Sequence, residues 1–103
     1  MEDYNMDVIK LEDRSVENGN TKIIMHEFEN IDAAKLFVYQ FCFAWRKNVE
    51  ANAAKSFFDT DWKFENKEWK KTCNIVEKNN SHRTHTFTIK SNSAFNYYFC
   101  REN

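Results

Sequence analysis

The pattern of apolar and polar positions divides the chain into three stretches. Residues Asp7 to Phe28 are rich in β-formers and broken by Asn18-Gly19, two residues that readily adopt the positive φ of a two-residue type I′ turn. A hairpin closed there pairs Val16 with Thr21, Leu11 with His26 and Ile9 with Phe28. One face then carries Ile9, Leu11, Ile24 and Phe28, and the other Lys10, Glu12, Arg14 and Glu27. The alternation is imperfect, because Ile23 and Met25 fall on the polar face. After Asn30 or Asp32, either of which can cap a helix, Ala34, Val38, Phe41, Cys42, Trp45 and Val49 recur at the helical spacing. This predicts a helix from about residue 31 to about residue 50. Ala51-Asn52-Ala53-Ala54 offers an extension towards Phe58.

From Asp59 the pattern turns β-type. Trp62 and Phe64 alternate with Lys63 and Glu65, and Asn66-Lys67 can turn the chain back towards Trp69. A short helix capped by Asp59 is the rival for this stretch. Lys71 to Lys78 and Arg83 to Lys90, joined through Asn79-Asn80-Ser81, read as a second hairpin, with His85, Phe87 and Ile89 opposite Thr84, Thr86 and Thr88. Ala94 to Arg101 reads as a final aromatic strand. The expected fold is a single α+β domain over residues 1–103: an N-terminal β-hairpin, one long central α-helix and a C-terminal antiparallel meander, with the helix packed on one sheet face.

Composition narrows the chemistry. One glycine in 103 residues leaves no Gly-rich phosphate cradle and no nucleophile elbow. The longest apolar runs fall far short of the roughly 20 residues of a membrane helix. The acidic start lacks a signal-peptide pattern, and three cysteines without repeated spacing do not suggest a secreted disulfide framework, so a soluble, cytoplasmic protein is expected. Residues with A/T-rich codons (Phe, Tyr, Met, Ile, Asn, Lys) number about 47 against about 12 with G/C-rich ones, a bias of A/T-rich genomes such as those of many phages, some large DNA viruses, firmicutes and certain parasites.

Catalytic signatures are weak. Cys73, His82, His85 and Cys100 lack the short-spaced pairs of a structural zinc site, and His82 and His85 fall on opposite faces of a strand. His82-Arg83-Thr84 has the form of half a two-histidine phosphoesterase motif, but His26, which precedes Glu27-Phe28, does not supply the second half. Glu65-Asn66-Lys67 and Glu68-Trp69-Lys70 match a nuclease half-motif that a Lys- and Glu-rich chain supplies by chance. No catalytic residue, metal or cofactor is expected.

Two features stand above this background. Leu36, Tyr39 and Phe43 lie within the charged face of the predicted helix, beside Arg46 and Lys47, in the composition of a protein-binding hot spot. Charge is also segregated: residues 1–32 hold nine acidic against three basic residues, and residues 62–90 seven basic against three acidic. Glu12, Asp13 and Glu17 are then expected to steer a partner from the acidic hairpin. The expectation is a non-enzymatic protein-binding module, a monomer or homodimer without membrane association, of the kind a phage encodes to inhibit a host protein or nucleoprotein (defence) complex. The alternative is an RNA or single-stranded nucleic-acid binder in which Trp62, Phe64 and Trp69 stack on bases while Lys63, Lys67, Lys70 and Lys71 contact phosphates.

Overall fold

Asn18 (φ 53°) and Gly19 (φ 80°) form the expected positive-φ turn. They join β1 (Ile9–Glu17) to β2 (Asn20–Phe28), with Ile9 opposite Phe28, Leu11 opposite His26 and Val16 opposite Thr21. The register is the one the hydrophobic pattern requires, since a slip by one residue would turn Ile9 and Leu11 to the wrong face. The computed structural model describes residues 8–91, so the strand expected at Ala94–Arg101 lies outside the described residues, as does Cys100.

The helix α1 (Ile31–Glu50) starts where Asn30 Oδ1 accepts the Ala33 backbone N–H, and Asp32 occupies its first turn. It does not extend towards Phe58. The backbone N–H groups of Ala51, Asn52 and Ala53 close onto the carbonyls of Lys47, Val49 and Asn48, Asn52 takes φ 63°, and the chain enters β3 (Ala54–Asp59). The β-structure thus begins five residues before Asp59. The alanines that favour a helix locally are overruled by a left-handed asparagine and by pairing with β5 (Glu68–Glu77). The rival Asp59-capped helix does not form either: β4 (Lys63–Glu65) turns through Asn66 and Lys67, both at positive φ, into β5. β6 (His82–Ser91) follows and pairs antiparallel with both β5 and β1.

The result is one antiparallel sheet in the order β2-β1-β6-β5-β3, with β4 also on β5, and α1 across one face. Ile31, Ala34, Val38 and Cys42 of the helix meet Ile9, Leu11, Trp69, Cys73, Phe87 and Ile89 of the sheet to make the core. Among the described residues, the other sheet face carries no helix and is polar around Thr84 and Thr86. Trp45, expected in the core stripe, is only half-buried, with the Arg83 guanidinium 5.4 Å from its ring centre. Phe41 takes the inner place, meeting Phe87 edge-on at 5.3 Å.

Phe87→Ala should therefore cost about 3–5 kcal/mol, because its cavity opens in the middle of the sheet. Trp45→Ala should cost less, about 1–3 kcal/mol, because part of its surface stays in water. Denaturant unfolding with unchanged m-values checks the order, which reverses if Trp45 is the true anchor.

Candidate functional site

The outer face of α1 is where the helix has no sheet to meet. Leu36, Tyr39 and Phe43 are 54%, 57% and 46% exposed, and neither Phe57 nor Phe58 folds over them. The Tyr39 and Phe43 rings stack at 6.2 Å, and the Lys47 ammonium lies 5.4 Å from the Phe43 ring centre while also pairing with Glu50. Spacings of three, then four, then four put these side chains in one row on the helix.

Arg46 borders this row but is turned towards the sheet. It donates to Asp59 Oδ2 at 2.6 Å, and its guanidinium sits 5.4 Å from the Phe57 ring centre. Lys71 approaches the same carboxylate oxygen at 3.0 Å and also donates to the Thr60 carbonyl. Burial works against the Asp59 charge, but hydrogen bonds from Lys71 and Arg46 outweigh it and hold the carboxyl below the usual aspartate range. This trio ties the C-terminal half of α1 to β3 and β5. Directly beneath it the Cys42 and Cys73 sulfurs lie 3.7 Å apart, both buried. The hydrogen bond to Cys42, with burial, pushes the Cys73 thiol up, and either thiol can donate to the other.

The acidic hairpin residues are engaged inside the fold. Glu12 accepts from Lys90 at 3.0 Å, which, with Arg14, holds its carboxyl below the usual range. Asp13 meets His85 Nδ1 at 2.7 Å, and Glu17 accepts from the Ser81 hydroxyl at 2.8 Å with Arg83 at 3.9 Å. Apart from Arg14, these partners lie in β6 or just before it, so part of the charge segregation along the chain is a complementarity between β1 and β6. Steering charges at Glu12 and Asp13 are not what the geometry offers.

The 62–90 surface is also divided. Trp69 is buried under the Lys35 ammonium, 3.9 Å from its ring centre, and Phe64 packs on it at 5.0 Å. Trp62 is half-buried against the core, whereas Lys63, Lys67 and Lys70 are exposed. The rings turn inward and most of the lysines outward, so they do not form a stacking platform beside phosphate contacts.

Sequence reasoning missed one polar group. A cleft of about 330 Å³ beside the hairpin is lined by Asp13, Ser15, Lys22, Arg83 and His85, among others. Ser15 stands opposite His85 in the sheet, but the buried His85 Nε2 has no hydrogen-bond partner, and the ring packs between Phe41 and Phe87. This is the setting of a core histidine oriented by Asp13. Among the described residues no three His, Cys, Asp or Glu gather as a metal site, and no helix is long and apolar enough to cross a membrane. Comparison with known families, characterised proteins and solved structures finds no match. The functional reading therefore rests on this chain's own surface.

Asp59→Asn should destabilise the chain by about 1–3 kcal/mol at pH 7, the range for hydrogen bonds to a charged group. Because folding depresses the Asp59 carboxyl, its contribution is full above the ordinary value of about 3.9 and fades as pH falls through the lowered one. The gap between wild type and variant should narrow below about pH 4 in denaturant titrations. In a Cys100→Ser background, Cys42 and Cys73 should react with a thiol reagent only on unfolding; rapid reaction of the native chain would contradict their burial.

Proposed function

We propose that this chain is a non-enzymatic protein-binding module whose contact surface is the outer face of α1, centred on Leu36, Tyr39 and Phe43 with Arg46 and Lys47 at its margin. The observation that carries this reading is the exposure of all three large side chains on a helix whose opposite face is the core. Leaving such groups in water forgoes roughly 1.5–3 kcal/mol each, which a partner's apolar pocket would recover. A stacked aromatic pair within a basic margin has the make-up of residues that dominate protein interfaces. The partner we favour is a host protein or nucleoprotein complex, and the activity its inhibition by occlusion. The small size and the A/T-rich codon bias support a phage-encoded origin.

Capture from host lysate, with and without nuclease, by wild type and by Tyr39→Ala and Phe43→Ala tests this. Both variants should keep the melting temperature within about 2 °C, since exposed positions contribute little to stability. Both should lose the nuclease-resistant partner by tenfold or more, corresponding to about 2 kcal/mol at a hot spot. Unfolded variants, or capture that persists unchanged, would refute the assignment. Capture that nuclease abolishes, and that Lys63→Glu with Lys70→Glu weakens, would favour nucleic acid instead.

A further inference from the structure

Among the described residues, the two edges of the sheet are built differently. At one edge, β3 is six residues long, broken by a register shift between Ala54 and Ser56, and ends in the ion-paired Asp59. These devices blunt a strand edge. At the other edge, β2 runs nine residues with no bulge and no proline. Four of the exposed large hydrophobic residues cluster on this hairpin: Val16, Ile23, Ile24 and Met25, with Ile23 and Met25 about half exposed.

Turn geometry decides which backbone groups of β2 are available. In a two-residue hairpin the closing pair, Glu17 and Asn20, exchanges both hydrogen bonds, so the even-numbered residues of β2 bond to β1. Thr21, Ile23, Met25 and Glu27 therefore direct their N–H and C=O groups away from the sheet. An antiparallel strand that continues the sheet must pair with these residues and keep their side chains on the same face.

We propose that β2 is a homodimer interface, in which a second copy of this chain adds its own β2 antiparallel across a two-fold axis through Ile24. Ile24 is the midpoint of Asn20–Phe28, and the register centred there overlaps the whole strand. It is self-complementary: Ile23 meets Met25 of the second copy, and Thr21, a hydroxyl donor, meets Glu27. Lys22 meets His26, and Ile24 meets its own equivalent. The hydrogen-bonded pairs fall on the odd-numbered residues whose groups are available. No carboxylate faces a carboxylate and no lysine a lysine. Ile23 and Met25 of both copies come together as one apolar cluster on the sheet face that carries no helix among the described residues, which gives these two exposed residues a role. The pairing is isologous, so it closes as a dimer and does not propagate.

The test is sedimentation of the full chain over a concentration series, together with cross-linking. Wild type should reach the mass of two chains, and Ile23→Lys and Met25→Lys should each weaken dimerisation at least tenfold with the circular dichroism of the fold unchanged. Ile23→Pro, which removes an outward N–H only, should likewise give a folded monomer. In a Cys100→Ser background, Ile24→Cys should form a covalent dimer under mild oxidation, because a non-hydrogen-bonded antiparallel pair places its Cα atoms about 4.5 Å apart. Thr21→Cys, far from the axis, should not. A wild-type monomer at every concentration, as when residues 92–103 cover the edge, would overturn the proposal. So would a dimer indifferent to Ile23 and Met25, or equal cross-linking at positions 21 and 24.

Discussion

The pairing of β1 with β6 is the constraint on which the rest of the structure depends. It joins strands more than seventy residues apart in their central pairings, such as Asp13 with Phe87, and makes one sheet of an N-terminal hairpin and a C-terminal meander. Without it, the hairpin would be a marginal two-stranded unit and α1 would have no continuous surface to cover. Its side chains match its backbone: Glu12 with Lys90 and Glu17 with Arg83 put acidic residues against basic ones, and Asp13 hydrogen-bonds His85. Opposite charges across strands reinforce a register that Ile9, Leu11, Phe87 and Ile89 already require from the core side.

One helix over a sheet of this width leaves apolar surface uncovered, and where it does so gives the molecule its character. The row Ile31, Ala34, Val38 and Cys42 is fully occupied by the sheet. The row of Leu36, Tyr39 and Phe43 lies on the far side of a cylinder about 10–12 Å across, beyond the reach of any strand. Likewise β2 completes its hydrogen bonds on one side only, because nothing in the described residues continues the sheet beyond it. The two surfaces differ in kind. The helix offers side chains to a shaped pocket, whereas the strand offers backbone groups, with side chains setting the register.

Several residues that resemble binding groups in the sequence also hold the fold together. Arg46 and Lys71 converge on Asp59, and over Cys42 and Cys73 they bind the end of α1 to the sheet. Breaking this trio by removing Asp59 would leave two cations beside partly buried surface. Trp69 follows the same logic. Its alternation with lysines suggests a stacking ring, but the sheet needs a large apolar side chain at that register, opposite Ile89.

What the sequence by itself determined are the elements set by local chemistry. Asn18-Gly19 supplies two positive-φ residues, Asn30 supplies a cap, and periods of two and 3.6 persist long enough to assign faces. The register of the first hairpin, the helix from residue 31 to residue 50 and the in-and-out order of His85, Phe87 and Ile89 follow from these. Even the clue to the β2 edge was present, as Ile23 and Met25 misplaced on a polar face. The tertiary structure alone decided that Ala54 belongs to a strand, because helix propensity over three alanines is worth less than pairing along β5. It alone decided which charges are free, because Glu12, Asp13, Arg46 and Lys71 find their partners on other elements, 12 to 78 positions away in the chain. And it alone left Leu36, Tyr39 and Phe43 in solvent. A helix period shows that residues share a face, but only the surface available to pack against it shows which face is buried.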